Sequence, residues 1–173
     1  MFLLEYLTTE RIGTLIGIYV SPKAGGEMVE LTEAEVIETG VKGDRYAENS
    51  GTWQIADRKK PLEARKNRGV SGVSIEDISE GNSRYGTEFE PQDTRRTFVF
   101  EGTSNFQQFL GKTMQIGETV QIEWTHDCDA CSRPSSLSQK PGYKDHGSLG
   151  GVRGNPKKDK LGIVKKGDPV FVI

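Results

Sequence analysis

Both cysteines of the chain, Cys128 and Cys131, and one of its two histidines, His126, lie in "WTHDCDACSRPSSL"; the second histidine, His146, follows in "GYKDHGSLGGVRG". Four chemistries use such a cluster. A disulfide framework is set aside, because two cysteines in 173 residues do not make a disulfide scaffold. A thioredoxin-like dithiol needs its Cys-x-x-Cys at the start of a helix; Cys128 and Cys131 instead follow a strand pattern, and "SRPSS" lacks an amphipathic continuation. His126, Cys128, Cys131 and His146 form a zinc set of the right ligand types, although His146 has no second ligand beside it. The last reading is one working thiolate at Cys131. Arg133 follows it closely, and Lys144, Arg153 and Lys157-Lys158 come after, a cationic setting that favours a thiolate. Inert packing cysteines usually sit among apolar residues, and "HDCDAC" is polar.

Further residues suit anions. "GSLGGVRG" can turn the N–H groups of Gly150 and Gly151 toward an oxyanion, with Arg153 adding a planar fork, yet no Gly-Lys-Ser/Thr follows as in a Walker loop. Arg95 and Arg96 stand side by side at the head of the strand pattern "RRTFVFEG". Neighbouring strand residues face opposite ways, so one of the two at most is expected to enter a central site. "KGDRY" offers Asp44 and Arg45 from a single turn.

The elements that must position these residues are short and mostly extended. "GTLIGIYVS" and "AEVIETGV" read as strands, the second closed by a turn at Gly43-Asp44. "TMQIGETVQIEW" reads as strand, turn and strand, with Val120, Ile122 and Trp124 alternating inward. "LGIVKKGDPVFVI" repeats that device across a Gly-Asp turn. "VSIEDISEGNSRYG" opens a helix with Ser74 as N-cap. "TSNFQQFLGK" places Phe106, Phe109 and Leu110 at helical spacing, between a Ser104 cap and a Gly111 stop. Residues 46–68 are polar, charged and aperiodic, and are expected to form a mobile loop, with Trp53 and Ile55 available to pin part of it.

The chain therefore reads as one mainly β domain over 1–173, a barrel or strongly bent sheet with few helices. Its 23 Lys+Arg nearly balance 25 Asp+Glu, which gives no case for nucleic acid. No apolar run approaches the roughly 20 residues of a membrane span. The N-terminal segment lacks the basic start and cleavage site of a secretory signal, so a cytoplasmic setting with reduced thiols is expected.

Taken in order, "GTLIGI", "GVKGDRY", "VSIEDI", "TRRTFVFEG", "FLGKTMQIGETVQIEW", "DACSRP", "GGVRG" and "LGIVKKGDPVFV" resemble the MOSC domain, the C-terminal module of molybdenum cofactor sulfurases and its stand-alone bacterial relatives. The likeness covers residues 13–173. It implies a MOSC-like β-barrel and a link to the molybdenum cofactor (molybdopterin). The family's characteristic cysteine maps to Cys131, as a molybdenum ligand in the reductase members or as a persulfide carrier. Arg45, Arg95, Arg96, Arg133 and Arg153, with Gly150 and Gly151, are then the candidates to hold the cofactor's anionic part. The implied activity is reduction of N-hydroxylated small molecules with an electron-donor protein; the alternatives are a sulfur or cofactor carrier with a sulfur-donor partner, and a zinc-stabilised binding module. The chain departs from the family pattern at Thr97, where many relatives carry asparagine, at Ala130, where proline is common, and in having Cys128.

Overall fold

The computed structural model describes residues 9–48, 56, 59–61 and 69–173. Most of the expected 46–68 loop, with Trp53 and Ile55, lies outside the described residues.

Seven strands close into a barrel: β1 (Glu10–Val20), β11 (Pro169–Val172), β7 (Thr113–Ile116), β8 (Val120–Asp127), β9 (Val152–Pro156), β5 (Val70–Ser74) and β6 (Phe98–Glu101), which returns to β1. A closed ring needs an even number of antiparallel neighbours, so seven strands require a parallel pair. That pair is β5 and β6, joined by the helix α2 (Ile75–Tyr85) as parallel strands must be. The short β2 (Val29–Glu30) adds to β1, while β3 (Glu33–Ile37), β4 (Gly40–Val41) and β10 (Gly162–Lys165) form a separate three-stranded sheet. A short helix α1 (Arg45–Glu48) follows β4, and α3 (Arg133–Ser138) follows the cysteines. No helix among the described residues is long and apolar enough to cross a membrane.

The alternation in "VQIEW" is realised: Val120, Ile122 and Trp124 are fully buried and meet Leu15, Phe98, Phe100, Met114, Ile116 and Val170 inside the barrel. A second apolar cluster lies outside the wall. There Val73 and Val99 of the parallel pair are covered by Ile78 of α2 and by Phe89, Ala130 and Tyr143. Cover on both faces explains why all five residues of β5 are buried and its sequence lacks alternation.

Ser74 caps α2, accepting from the Asp77 N–H at 3.1 Å, and Gly86 closes the helix in the left-handed region. "TSNFQQFLGK" departs from its helical expectation. It forms one 3-10 turn, Phe106–Phe109, preceded by Asn105, and Leu110 is exposed. Its cap comes from elsewhere: the buried Asp77 carboxylate accepts from the N–H groups of Asn105 (2.7 Å) and Phe106 (2.8 Å). Two further readings are corrected. "AEVIETGV" is a tight hairpin of β3 and β4. The runs joined at Gly167-Asp168 do not pair with each other, since β10 joins β3 and β11 joins β1 and β7.

Candidate functional site

The site forms at the rim of the outer apolar cluster, over the parallel pair β5 and β6. Register places the C-terminal end of β1 beside the start of β6 (Ile18 opposite Phe98), and the end of β8 beside the start of β9 (Asp127 opposite Val152). These are opposite ends of the barrel: Ser21 and the Arg95-Arg96 pair leave the first, the cysteine segment leaves the second, and Arg96 ties the two together. A bulge between Trp124 and His126 shifts the last turn of β8 and sets His126 opposite Arg153.

Arg95 and Arg96 do not belong to a strand, because β6 begins at Phe98. Arg95 ends the 3-10 turn Pro91–Thr94 in the left-handed region, at φ 59°. The face rule for strands therefore does not apply, and both guanidiniums serve the same rim. Arg96 is buried and donates to three carbonyls: Gly150 (2.7 Å) through Nε, Thr94 (3.1 Å) through Nη1 and Cys128 (2.9 Å) through Nη2. Burial works against its charge, but Cys128, Tyr143 and Cys131 more than offset this, and its pKa lies above the ordinary value.

The cysteine segment is laced to the glycine-rich stretch. The Cys128 N–H donates to the Gly151 carbonyl (2.9 Å), and the Ala130 N–H to the Gly147 carbonyl (2.8 Å). The close approach requires Gly150, where a Cβ would sit 2.3 Å from Ala130 N and 2.5 Å from Cys128 O. The carbonyls of Gly150 and Gly151 are thus engaged inside the protein, in packing Cys128 to Ala130. Both cysteines are free; Cys128 is buried and Cys131 is exposed. The dithiol's missing helix is partly supplied by α3, with Pro134 in its first turn, but it is only six residues long.

Four arginines, Arg45, Arg95, Arg133 and Arg153, gather near one another. Arg45 lies 4.3 Å over the Tyr46 ring and Arg153 lies 5.7 Å from it. Arg95 donates through Nη1 to the Gly26 carbonyl (2.8 Å), and its pKa is lowered by burial and by the charges of Arg45 and Arg133. Its Nε and Nη2 are buried with no hydrogen-bond partner among the described residues, as is the Tyr143 hydroxyl near Arg96. Asp44, the acid of "KGDRY", is not available to a ligand. It is buried, accepting from the N–H groups of Ser21 (2.8 Å) and Tyr46 (3.2 Å), and burial pushes its carboxyl up. Thr97 is likewise internal, paired through its hydroxyl and N–H with Ser71 across the parallel strands.

The zinc set does not assemble. No group of three His, Cys, Asp or Glu among the described residues could hold a metal ion. His126 is on the rim, bonded to Thr125, whereas His146 is buried under α2 with its ring against Gly81, where a Cβ would lie 2.2 Å from Nδ1. The Phe89 carbonyl and N–H fix the Asn82 amide, Thr87 donates its one hydroxyl proton to Asn82 Oδ1 (2.8 Å), and so His146 Nε2–H must donate to Thr87 (2.7 Å). A buried neutral histidine was not legible in the sequence, since its cradle is a glycine 65 positions away in the chain.

Burial lowers the His146 pKa, partly opposed by Asp145. The unfolded chain then binds the proton more readily than the folded one, so this group's contribution is complete above about pH 6.5 and is lost as pH falls toward the folded value. Thermal unfolding across that window should show wild type losing more stability on acidification than His146→Gln. Parallel curves would remove His146 from the account.

No family model matches the chain, and no curated protein matches it in sequence. Solved structures do. The YUAD protein from Bacillus subtilis is 17% identical with a TM-score of 0.77, covering 95% of this chain and 97% of that one. YiiM from Geobacillus stearothermophilus is 13% identical (TM-score 0.55; 95% and 75% covered), and YiiM from Escherichia coli is 13% identical (TM-score 0.54; 92% and 69% covered). At such identities the likeness is one of fold: the chain shares its barrel with these proteins, among them YiiM, a MOSC-domain protein.

Proposed function

We propose that the chain has a MOSC-type function: it binds molybdenum cofactor through Cys131 and reduces N-hydroxylated small molecules with electrons from a donor protein. The observation that carries this reading is an exposed thiol, on a loop clamped by a buried arginine, at a rim where Arg45, Arg95, Arg133 and Arg153 collect. The residues fit the group. A thiolate is a soft donor suited to such a metal, and Arg95 has two buried N–H groups without a partner among the described residues for an anion to meet.

When bound, the cofactor would supply two-electron oxygen-atom-transfer chemistry. The chain's own work is positional. Cys131 offers its sulfur from the rim, Arg96 and Gly150 hold the segment behind it, and the other arginines neutralise anionic charge. The Tyr143 hydroxyl, its pKa raised by burial, stays protonated inside the outer apolar cluster, with Arg96 over its ring.

Metal analysis after anaerobic incubation with molybdenum cofactor tests the reading. Near-stoichiometric molybdenum is expected in wild type and in Cys128→Ser, with nearly complete loss in Cys131→Ser. Equal uptake by Cys131→Ser would refute thiolate ligation. The exposure of Cys131 also suits a persulfide carrier. Intact mass after incubation with a sulfur donor would then show one added sulfur atom on Cys131, and no molybdenum uptake.

A further inference from the structure

Arg95 is held in an unusual way for a surface arginine. Its backbone is left-handed although it is not glycine, a costly conformation that persists where the surroundings impose it. Nη1 is anchored on the Gly26 carbonyl. Nε and Nη2, which form the side edge of the guanidinium and present two parallel N–H bonds, have no partner among the described residues. That edge is the one that takes a carboxylate or phosphate bidentately. Leaving two such donors buried and unpaired is costly. The adjoining charges make a neutral partner a poor match, since Arg45 and Arg133 add positive charge from α1 and α3.

Arg95 lines an open cavity of about 280 Å³ together with Gly25, Gly26, Met28, Gln92, Leu137 and Ser138. Two carboxylates also line it. Asp93 is already matched by Lys140 (2.5 Å) and by the Glu90 N–H (2.9 Å), and Glu27 is exposed. The apolar walls leave room for a small organic body, with a charged end at Arg95.

We propose that Arg95, backed by Arg45 and Arg133, is a bidentate oxyanion subsite opening on this cavity, and that it selects small molecules carrying a carboxylate or phosphate group. Oxyanion capture stands on Arg95 alone. Only the assignment of that oxyanion to the substrate of an N-hydroxy reductase rests on the molybdenum reading above.

The test uses the full-length protein without cofactor, labelled with ¹⁵N, titrated with inorganic phosphate and separately with benzoate while the arginine Nε–H resonances are followed. The Arg95 signal is assigned in wild type, with ¹³C added to the label, by correlating each arginine side chain with its backbone. In wild type it should shift saturably with both anions. Arg95→Lys keeps the charge and loses the fork, and should bind at least about tenfold more weakly by calorimetry. A wild-type Arg95 signal that does not respond, or equal affinity in Arg95→Lys, would overturn the subsite without touching Cys131. The wild-type signal reads the site even if the variant folds poorly. Molybdenum uptake by folded Arg95→Lys then names the source: unchanged uptake assigns the oxyanion to the substrate, and a parallel loss assigns it to the cofactor's own phosphate and overturns the selection of small molecules.

Discussion

Arg96→Ala should be the most damaging single substitution at the rim, lowering stability by about 3–5 kcal/mol in urea unfolding. Its side chain supplies donors to the carbonyls of Thr94, Cys128 and Gly150, all in buried residues. Each unpaired buried acceptor costs about 1–3 kcal/mol, and relaxation or entering water recovers part of the sum. Arg96→Lys should lose most of the same stability. An ammonium on a flexible stem keeps the charge, but its compact head cannot reproduce a planar fan of donors aimed at three separate chain segments. A loss below about 1 kcal/mol in Arg96→Ala would mean that the segments hold together without the clamp.

Gly150→Ala should injure the same junction from the opposite side. The added Cβ meets Ala130 N, Cys128 O and the Asp129 carbonyl carbon, at 2.3, 2.5 and 2.7 Å. All three are backbone atoms, so no side chain can swing aside, and the cysteine segment itself must move. Overpacking of this kind costs about 1–3 kcal/mol. The more telling result is at Cys131, whose rate of modification by a thiol reagent should change along with the melting temperature. An unaltered rate in a destabilised Gly150→Ala would show that the loop keeps Cys131 in place without the glycine contact. The two substitutions share partners, so the double variant should fall short of the sum of the single losses.

These consequences divide the anatomy of the rim from that of the ligand edge. Arg96, Gly150, Asp44 and Thr97 are internal braces, each with its polar atoms engaged by the protein. Cys131, Arg95 and the neighbouring arginines carry what is left for a ligand. The adjacent arginines differ not in type but in what surrounds them. One meets three carbonyls; the other meets one and keeps an edge free.

The sequence by itself determined the elements whose cause is local. Period-two alternation in "VQIEW", the Ser74 cap three residues before Asp77, and glycine-bounded apolar runs at β1 and β7 all express interactions within a few residues, and all appear in the structure. The mainly β barrel followed from them and from the resemblance. Tertiary structure alone decided which arginine became a brace and which kept a fork. It withheld the strand from Arg95 and Arg96 and capped Phe106 with Asp77 from another helix. It also sent β10 and β11 to different sheets and drew His146 against Gly81, away from the cysteines. The physical reason is common to these cases. A side chain's partner is chosen by chain segments distant in sequence, and the period of the local pattern carries no record of which segment that will be.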